Sequence, residues 1–270
     1  MRILFWNMGR RNSSSILASM LQDAPCEIVL LCEFRGDSGR LLAEINTGHF
    51  SYREDALANS RLRLLTTLDA DCIKHITDMN RVSYWAVQTD TECFLLCGAH
   101  LVSGAQNQRI DRNQLLGRIR DDMINVESQV GHDRSVVIGD LNLNPYDDML
   151  MSSEGMHALS SLKATEKGAR IVQGQSCPFF YNPMWSLFGD RSAGPPGTYF
   201  WQTSAPTGYG WNMLDQVLIR PSLMKSFVDF EVDILTVAGK NSLLTRSGRP
   251  RKSFSDHLPI RIHWVTGPTS

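Results

Sequence analysis

The 270-residue sequence has almost no net charge, no long apolar run and no closely paired cysteines. Each absence excludes something. A formal charge of −1 is not the strong basic excess of a non-specific nucleic-acid binder. No window approaches the ~18 consecutive apolar residues of a membrane span. The opening "MRILFWNMGRRN" lacks an apolar stretch ahead of a cleavage site, so no signal peptide is expected. Cys26, Cys32, Cys72, Cys93, Cys97 and Cys177 form no CxxC pair, and several sit in apolar runs such as "IVLLCE" and "CFLLCGAH". They read as buried, reduced thiols of a cytoplasmic protein rather than a disulfide framework or a zinc site. There is no internal repeat, and "SAGPPG" marks a turn rather than a linker. One domain over residues 1–270 is expected.

What is present is 42% hydrophobic residues broken into short runs. "RILFWN", "EIVLLCE", "RLRLLTTL", "VSYWAVQ", "CFLLCGAHL", "SVVIGDL", "MLDQVLI", "DFEVDILTV" and "LPIRIHWV" have the branched and aromatic content of strands. "SSSILASMLQDA" and "GRLLAEIN" read as helices, and "NQRIDRNQLLGRIRDDMINVES" as the longest helix. Residues 151–210 read as loops and small strands. The order implies an α/β layered architecture. Connections such as 68–81 are too short for parallel crossovers throughout, so the sheets should be mixed.

The charge is unevenly distributed. No acid occurs from Ile234 to Ser255, where Lys240, Arg246, Arg249, Arg251 and Lys252 lie. Arg10 and Arg11 form a second basic cluster and Arg109 and Arg112 a third. These clusters border polar residues at the ends of apolar segments. Asn7 ends "ILFWN", Glu33 ends "IVLLCE", and His100 ends "FLLCGAH". Asp140 and Asn142 end "VVIGDLN", Asp215 lies in "WNMLDQVLI", and Asp256 and His257 precede the last strand in "FSDHLPI". Taken singly, each reads as a cap, a turn or a satisfied core group. Six such ends are harder to explain that way, because a buried polar group left unsatisfied costs about 1–3 kcal/mol. Arrangement around one charged centre would satisfy them together. Hard oxygen donors without thiolate suit Mg²⁺ or a similar ion. Two histidines supply acid–base chemistry near neutral pH. This is equipment for metal-assisted hydrolysis of a phosphate ester.

The pieces "LFWN", "LLCE", "GAHL", "GDLN", "LDQVL" and "SDHLPI", in that order across residues 3–260, resemble the endonuclease/exonuclease/phosphatase superfamily with the deoxyribonuclease I-like fold. The resemblance implies a four-layer α/β sandwich of two mixed sheets packed face to face and flanked by helices. It implies Glu33 as the main metal ligand, with Asn7 and Asp256 close to the ion, and Mg²⁺ as cofactor, with Mn²⁺ as a substitute. Asp140 and Asn142 would position the attacking water and the phosphoryl group. His257 would be the general base or a phosphate ligand, with Asp215 holding its imidazole, and His100 an acid or phosphate contact. In the deoxyribonuclease branch a carboxylate orients that second histidine. Here the matching stretch is Asn59, Ser60 and Arg61, which holds no acid.

Nucleic acid is the expected substrate, steered by Arg10, Arg109, Arg251 and Lys252. Trp211 is either a stacking surface for a base or a packing residue. Tyr199, Phe200 and Trp201 are expected in a strand core, with lining of the cleft as the lesser reading. His49, His75, His132, His157 and His263 are expected as surface or packed residues. The expected activity is that of a nuclease. A phosphatase or phosphodiesterase on a small molecule or lipid headgroup is the alternative, and an inactive binding scaffold a remote one. No protein partner is expected.

Overall fold

Runs of branched aliphatic and aromatic residues form the central strands, because such side chains fit a pleated surface buried on both faces. The computed structural model describes residues 1–47, 50–55, 61–102, 109–206 and 208–267, with the backbone alone at 109–112. Two mixed sheets dominate. The chain divides into two compact units, the first holding Met1–Asp69, Leu187–Asp215 and Phe230–Trp264, and the second Ala70–Ser186, Gln216–Asp229 and the residues from Val265.

The six-stranded sheet runs in the order Phe227–Ile234, Ile260–Thr266, Arg2–Asn7, Ile28–Cys32, Leu62–Thr66, Arg53–Asp55. At its centre Arg2–Asn7 and Ile28–Cys32 are parallel, with Asn7 aligned to Cys32. The Ser14–Asp23 helix makes the crossover between them. Its buried Ile16, Leu17, Met20 and Leu21 join Leu4, Trp6, Val29 and Leu31 in the first unit's core.

The seven-stranded sheet runs in the order Ile73–Met79, Val82–Gln88, Cys93–His100, Ser135–Asp140, Asp215–Ile219, Phe180–Tyr181, Ala158–Leu159. Cys93–His100 and Ser135–Asp140 are parallel, with His100 aligned to Asp140. The crossover between them contains the Arg109–Val130 helix, whose Leu116, Ile119, Met123 and Val126 pack with Leu95, Cys97 and Val137 in the second unit's core. Gly139 lies where these strands approach closely, and a Cβ there would run into the Ala99 carbonyl. Gly139→Ala is therefore expected to cost about 1–3 kcal/mol of stability, read from urea denaturation, because the clash is with backbone.

The expectation of mixed sheets is met, as are the nine predicted strands and three helices to within a few residues. The 68–81 stretch is a difference. It holds the strand Ile73–Met79, paired antiparallel to Val82–Gln88 through Asn80 and Arg81, both at positive φ. Lys74, His75, Thr77 and Asp78 hide the strand in the sequence, because an edge strand need bury only part of its surface. The cysteines also differ in part. All six are free, but Cys72, Cys93 and Cys177 are half-exposed, since Cys72 closes a short 3-10 turn, Cys93 opens a strand and Cys177 lies on a hairpin. Burial pushes the Cys26 thiol up to about 12. Among the described residues no helix is long and apolar enough to cross a membrane.

Candidate active site

In the first unit, the site residues gather around the turn that follows Asn7. Asn7 ends its strand nearly buried, and its Oδ1 accepts from Gly9 N at 2.9 Å. Met8 N donates to Cys32 O, and Arg10 N donates to Glu33 O, each at 2.9 Å. The turn thus binds Glu33 to the end of the neighbouring strand. The Arg10 guanidinium lies 3.2 Å from Glu33 Oε2, in a largely exposed ion pair. Arg10 and Glu33 have φ of 61° and 51°.

The same turn meets the "SDH" segment. Ser255 Oγ donates to Asn7 O at 2.7 Å and accepts from His257 N at 3.0 Å. Gly9 is at φ +54°, and a Cβ on it would stand 2.5 Å from Asp256 Oδ1. Only glycine lets the turn approach that carboxylate so closely. Trp6 Nε1 donates to His257 O at 3.1 Å. The His257 ring is fixed by Asp215, with Nδ1 2.8 Å from Oδ2 and both residues buried. Asp215 N donates to Thr198 Oγ1 at 3.1 Å. The unit therefore brings Asn7, Glu33, Asp256, His257 and Asp215 into one connected neighbourhood. Glu33, Asn7 and Asp256 offer carboxylate and amide oxygens and no sulfur, a donor set that fits a hard divalent cation.

In the second unit, the parallel register carries His100 and Asp140 to adjacent strand ends. Asp140 Oδ1 accepts from Asn142 N at 2.9 Å, and Asn142 Nδ2 donates to Leu101 O at 2.9 Å. Leu101 N donates to Asp140 O at 2.9 Å. His100, Asp140 and Asn142 are thereby assembled. Asn7 and Glu33 in the first unit, and His100, Asp140 and Asn142 in the second, leave the carboxyl ends of a central parallel pair, the usual place for ligand chemistry in sheets with crossover helices.

The remaining candidates are placed differently. Arg251 donates to the carbonyls of Ser242 and Leu244, each at 3.2 Å. Lys252 is exposed. Arg249, named from the sequence only as part of the basic cluster, donates to Gln202 at 3.0 Å and lies 4.2 Å from the Phe200 ring centroid. Arg109 opens the longest helix, and its side chain lies outside the described residues, as do Asn59, Ser60 and His49. Trp211 is half-buried, packing on the first unit's core and edge-on to Phe200 at 5.5 Å.

Tyr199, Phe200 and Trp201 do not lie in a sheet core. They form one strand of a two-stranded ribbon with Gly210–Asn212, and Trp201 is 43% exposed. Tyr199 lies against the His257 ring at 4.8 Å. Among the described residues the ribbon has no third strand to bury it. His157 is packed as expected, accepting from Arg170 Nε at 3.0 Å. Its burial, with Arg170 nearby, presses its pKa below the ordinary value. Sequence reasoning missed Gly9, Thr198 and Ser255, and gave Tyr199 a place lining the cleft only as its second reading. Of these only Ser255 carried a signal, lying two residues before His257.

No family model and no curated protein matches the sequence. Solved structures do match. Truncated TDP2 from Caenorhabditis elegans is 13% identical, with 97% of this chain and 96% of that chain covered at a TM-score of 0.58. An endonuclease/exonuclease/phosphatase family protein from Leptotrichia buccalis is 10% identical, covering 98% and 99% at 0.55. A variant of the 3′ phosphatase NExo from Neisseria, bound to a product DNA hairpin, is 15% identical, covering 98% and 99% at 0.54. The chain has the endonuclease/exonuclease/phosphatase fold. The α/β class expected from the order of strands and helices is met, and the fold implied by "LLCE", "GDLN" and "SDHLPI" accounts for nearly the whole chain.

Proposed function

We propose that the chain is a divalent-metal-dependent phosphodiesterase, a nuclease that hydrolyses DNA or RNA. The observation that carries this reading is the buried His257–Asp215 pair, Nδ1 to Oδ2 at 2.8 Å. A buried carboxylate on one ring nitrogen fixes the tautomer and raises the basicity of the other. With Nδ1–H given to Asp215, Nε2 takes the proton from the attacking water or contacts the phosphoryl oxygens. Glu33, Asn7 and Asp256 would hold Mg²⁺, or Mn²⁺ in its place, and the ion would supply positive charge against the developing negative charge of the phosphoryl group. Asp140 and Asn142 orient the water and the phosphoryl group, and His100 serves as acid or phosphate contact. Arg10, Arg109, Arg251 and Lys252 draw the polyanion in, and Trp211 offers a ring to a base. Arg251 acts as a fixed charge, because carbonyl contacts already hold its guanidinium. The DNA product bound by the NExo phosphatase supports a nucleic-acid substrate. The free cysteines fit a cytoplasmic setting.

The test is a panel of single- and double-stranded DNA, RNA, abasic DNA, sphingomyelin and inositol phosphates with Mg²⁺. Polynucleotide hydrolysis is expected. Chelation should abolish it, and Glu33→Ala should reduce it by at least about 10²-fold. Its kcat/KM should fall steeply with added salt. Cleavage of sphingomyelin or inositol phosphates alone, or a rate indifferent to ionic strength, would overturn the polynucleotide assignment.

A further inference from the structure

A histidine ring held at one nitrogen by a single hydrogen bond still librates about its Cβ–Cγ bond. A general base needs its second nitrogen aimed as well, since small misplacements cost large factors in rate. The Asp215 contact fixes one edge of the His257 ring. Its face meets the Tyr199 ring, at 4.8 Å between centroids and a 43° tilt. We propose that Tyr199 is a positioning residue for His257, holding the imidazole plane against rotation while Asp215 holds its edge. This rests on His257 being the base in the reaction proposed above.

Three observations make Tyr199 suited to the task. Its backbone is anchored to the segment it serves, through a β-bridge to His257 and the Leu258 N to Thr198 O bond at 2.8 Å. It is paired on its other side with Asn212 in the ribbon. Its neighbour Thr198, fully buried, accepts from Asp215 N at 3.1 Å. One dipeptide, Thr198–Tyr199, thus fixes both members of the pair. A tilted ring contact restrains rotation through shape and needs no phenol hydroxyl.

The experiment compares Tyr199→Phe, Tyr199→Ala and wild type in two readouts, with melting temperatures checking that each variant folds. In steady-state kinetics on the cleaved polynucleotide with Mg²⁺, Tyr199→Ala is expected to lower kcat by on the order of tenfold to a hundredfold. KM should stay within about twofold and Tyr199→Phe should restore the rate. In the His257→Ala background Tyr199→Ala should cost nothing further, because the ring it aims is gone. In proton NMR of the metal-free protein, the hydrogen-bonded Nδ1–H of His257 should be sharp in wild type and Tyr199→Phe. It should be broadened by exchange in Tyr199→Ala. An unchanged rate and signal in Tyr199→Ala, an additive loss with His257→Ala, or a Tyr199→Phe as impaired as Tyr199→Ala would overturn the proposal. If wild type hydrolyses the polymer and His257→Ala does not, such a result condemns this inference alone. A His257→Ala enzyme with full activity would instead defeat the assignment of the base, and this proposal with it.

Discussion

Asp215→Asn should lower kcat by about 10²–10⁴-fold, the usual worth of a positioned general acid–base, and leave KM within about twofold. Asp215 is fully buried, with its Oδ2 2.8 Å from His257 Nδ1. The carboxylate can only accept, so it selects the tautomer with the proton on Nδ1 and stabilises the imidazolium formed during turnover. An amide of the same size keeps the packing but loses the charge, and by turning its NH₂ toward the ring it can select the wrong tautomer. Substrate does not touch this residue in the proposed roles, so ground-state binding should survive. Steady-state kinetics at saturating Mg²⁺ decide the matter. An equal loss in turnover and affinity, or no loss, contradicts the role given to Asp215.

Arg220→Met should remove about 3–5 kcal/mol of stability, the usual cost of stranding one member of a buried ion pair. Arg220 Nε donates to Glu127 Oε1 at 2.8 Å and Nη2 to Oε2 at 3.1 Å. Nη1 donates to Phe179 O at 3.1 Å, and the guanidinium lies 3.9 Å from the Phe180 ring centroid. Ser135 Oγ donates to Glu127 Oε1 at 2.7 Å. The substitution leaves a carboxylate without its counter-ion, with side-chain exposures of only 2% for Arg220 and 8% for Glu127. Urea denaturation should show a lower midpoint. Adding Glu127→Gln should recover much of the loss, since the orphaned charge then disappears. The same treatment of Arg40–Glu44, with Arg40 73% exposed, should cost no more than about 0.5 kcal/mol. Equal effects at the two pairs would show that burial is not what makes the Arg220 pair matter.

Much of the candidate site is legible in the sequence because its residues interrupt an otherwise apolar pattern. Asn7, Glu33, His100 and Asp140 stand where branched side chains stop, and strand ends are visible in a one-dimensional string. Asp256 and His257 are legible as part of "SDHLPI". Tyr199 is legible only as a lesser reading, because its partner lies 58 positions away and an aromatic residue in a β-rich segment looks like core. The Arg220–Glu127 pair is hidden for a similar reason. Glu127 follows a helical pattern that suits a solvated carboxylate, and only the fold brings a guanidinium to it. The Ile73–Met79 strand escapes because its polar residues lack the alternation of a half-buried strand. Arg251 reads as a substrate contact from its place in the basic loop, and nothing in that loop's composition indicates that two carbonyls hold its guanidinium.

The left-handed backbone at Arg10, Glu33 and Asn142 sets folding against chemistry. Side chains with a Cβ pay roughly 1–2 kcal/mol to adopt that geometry, and glycine does not. A laboratory search for heat resistance alone would drift toward glycine at these three positions, erasing side chains proposed to serve the reaction while raising the melting temperature. Any thermostable descendant should therefore be selected for turnover at the same time.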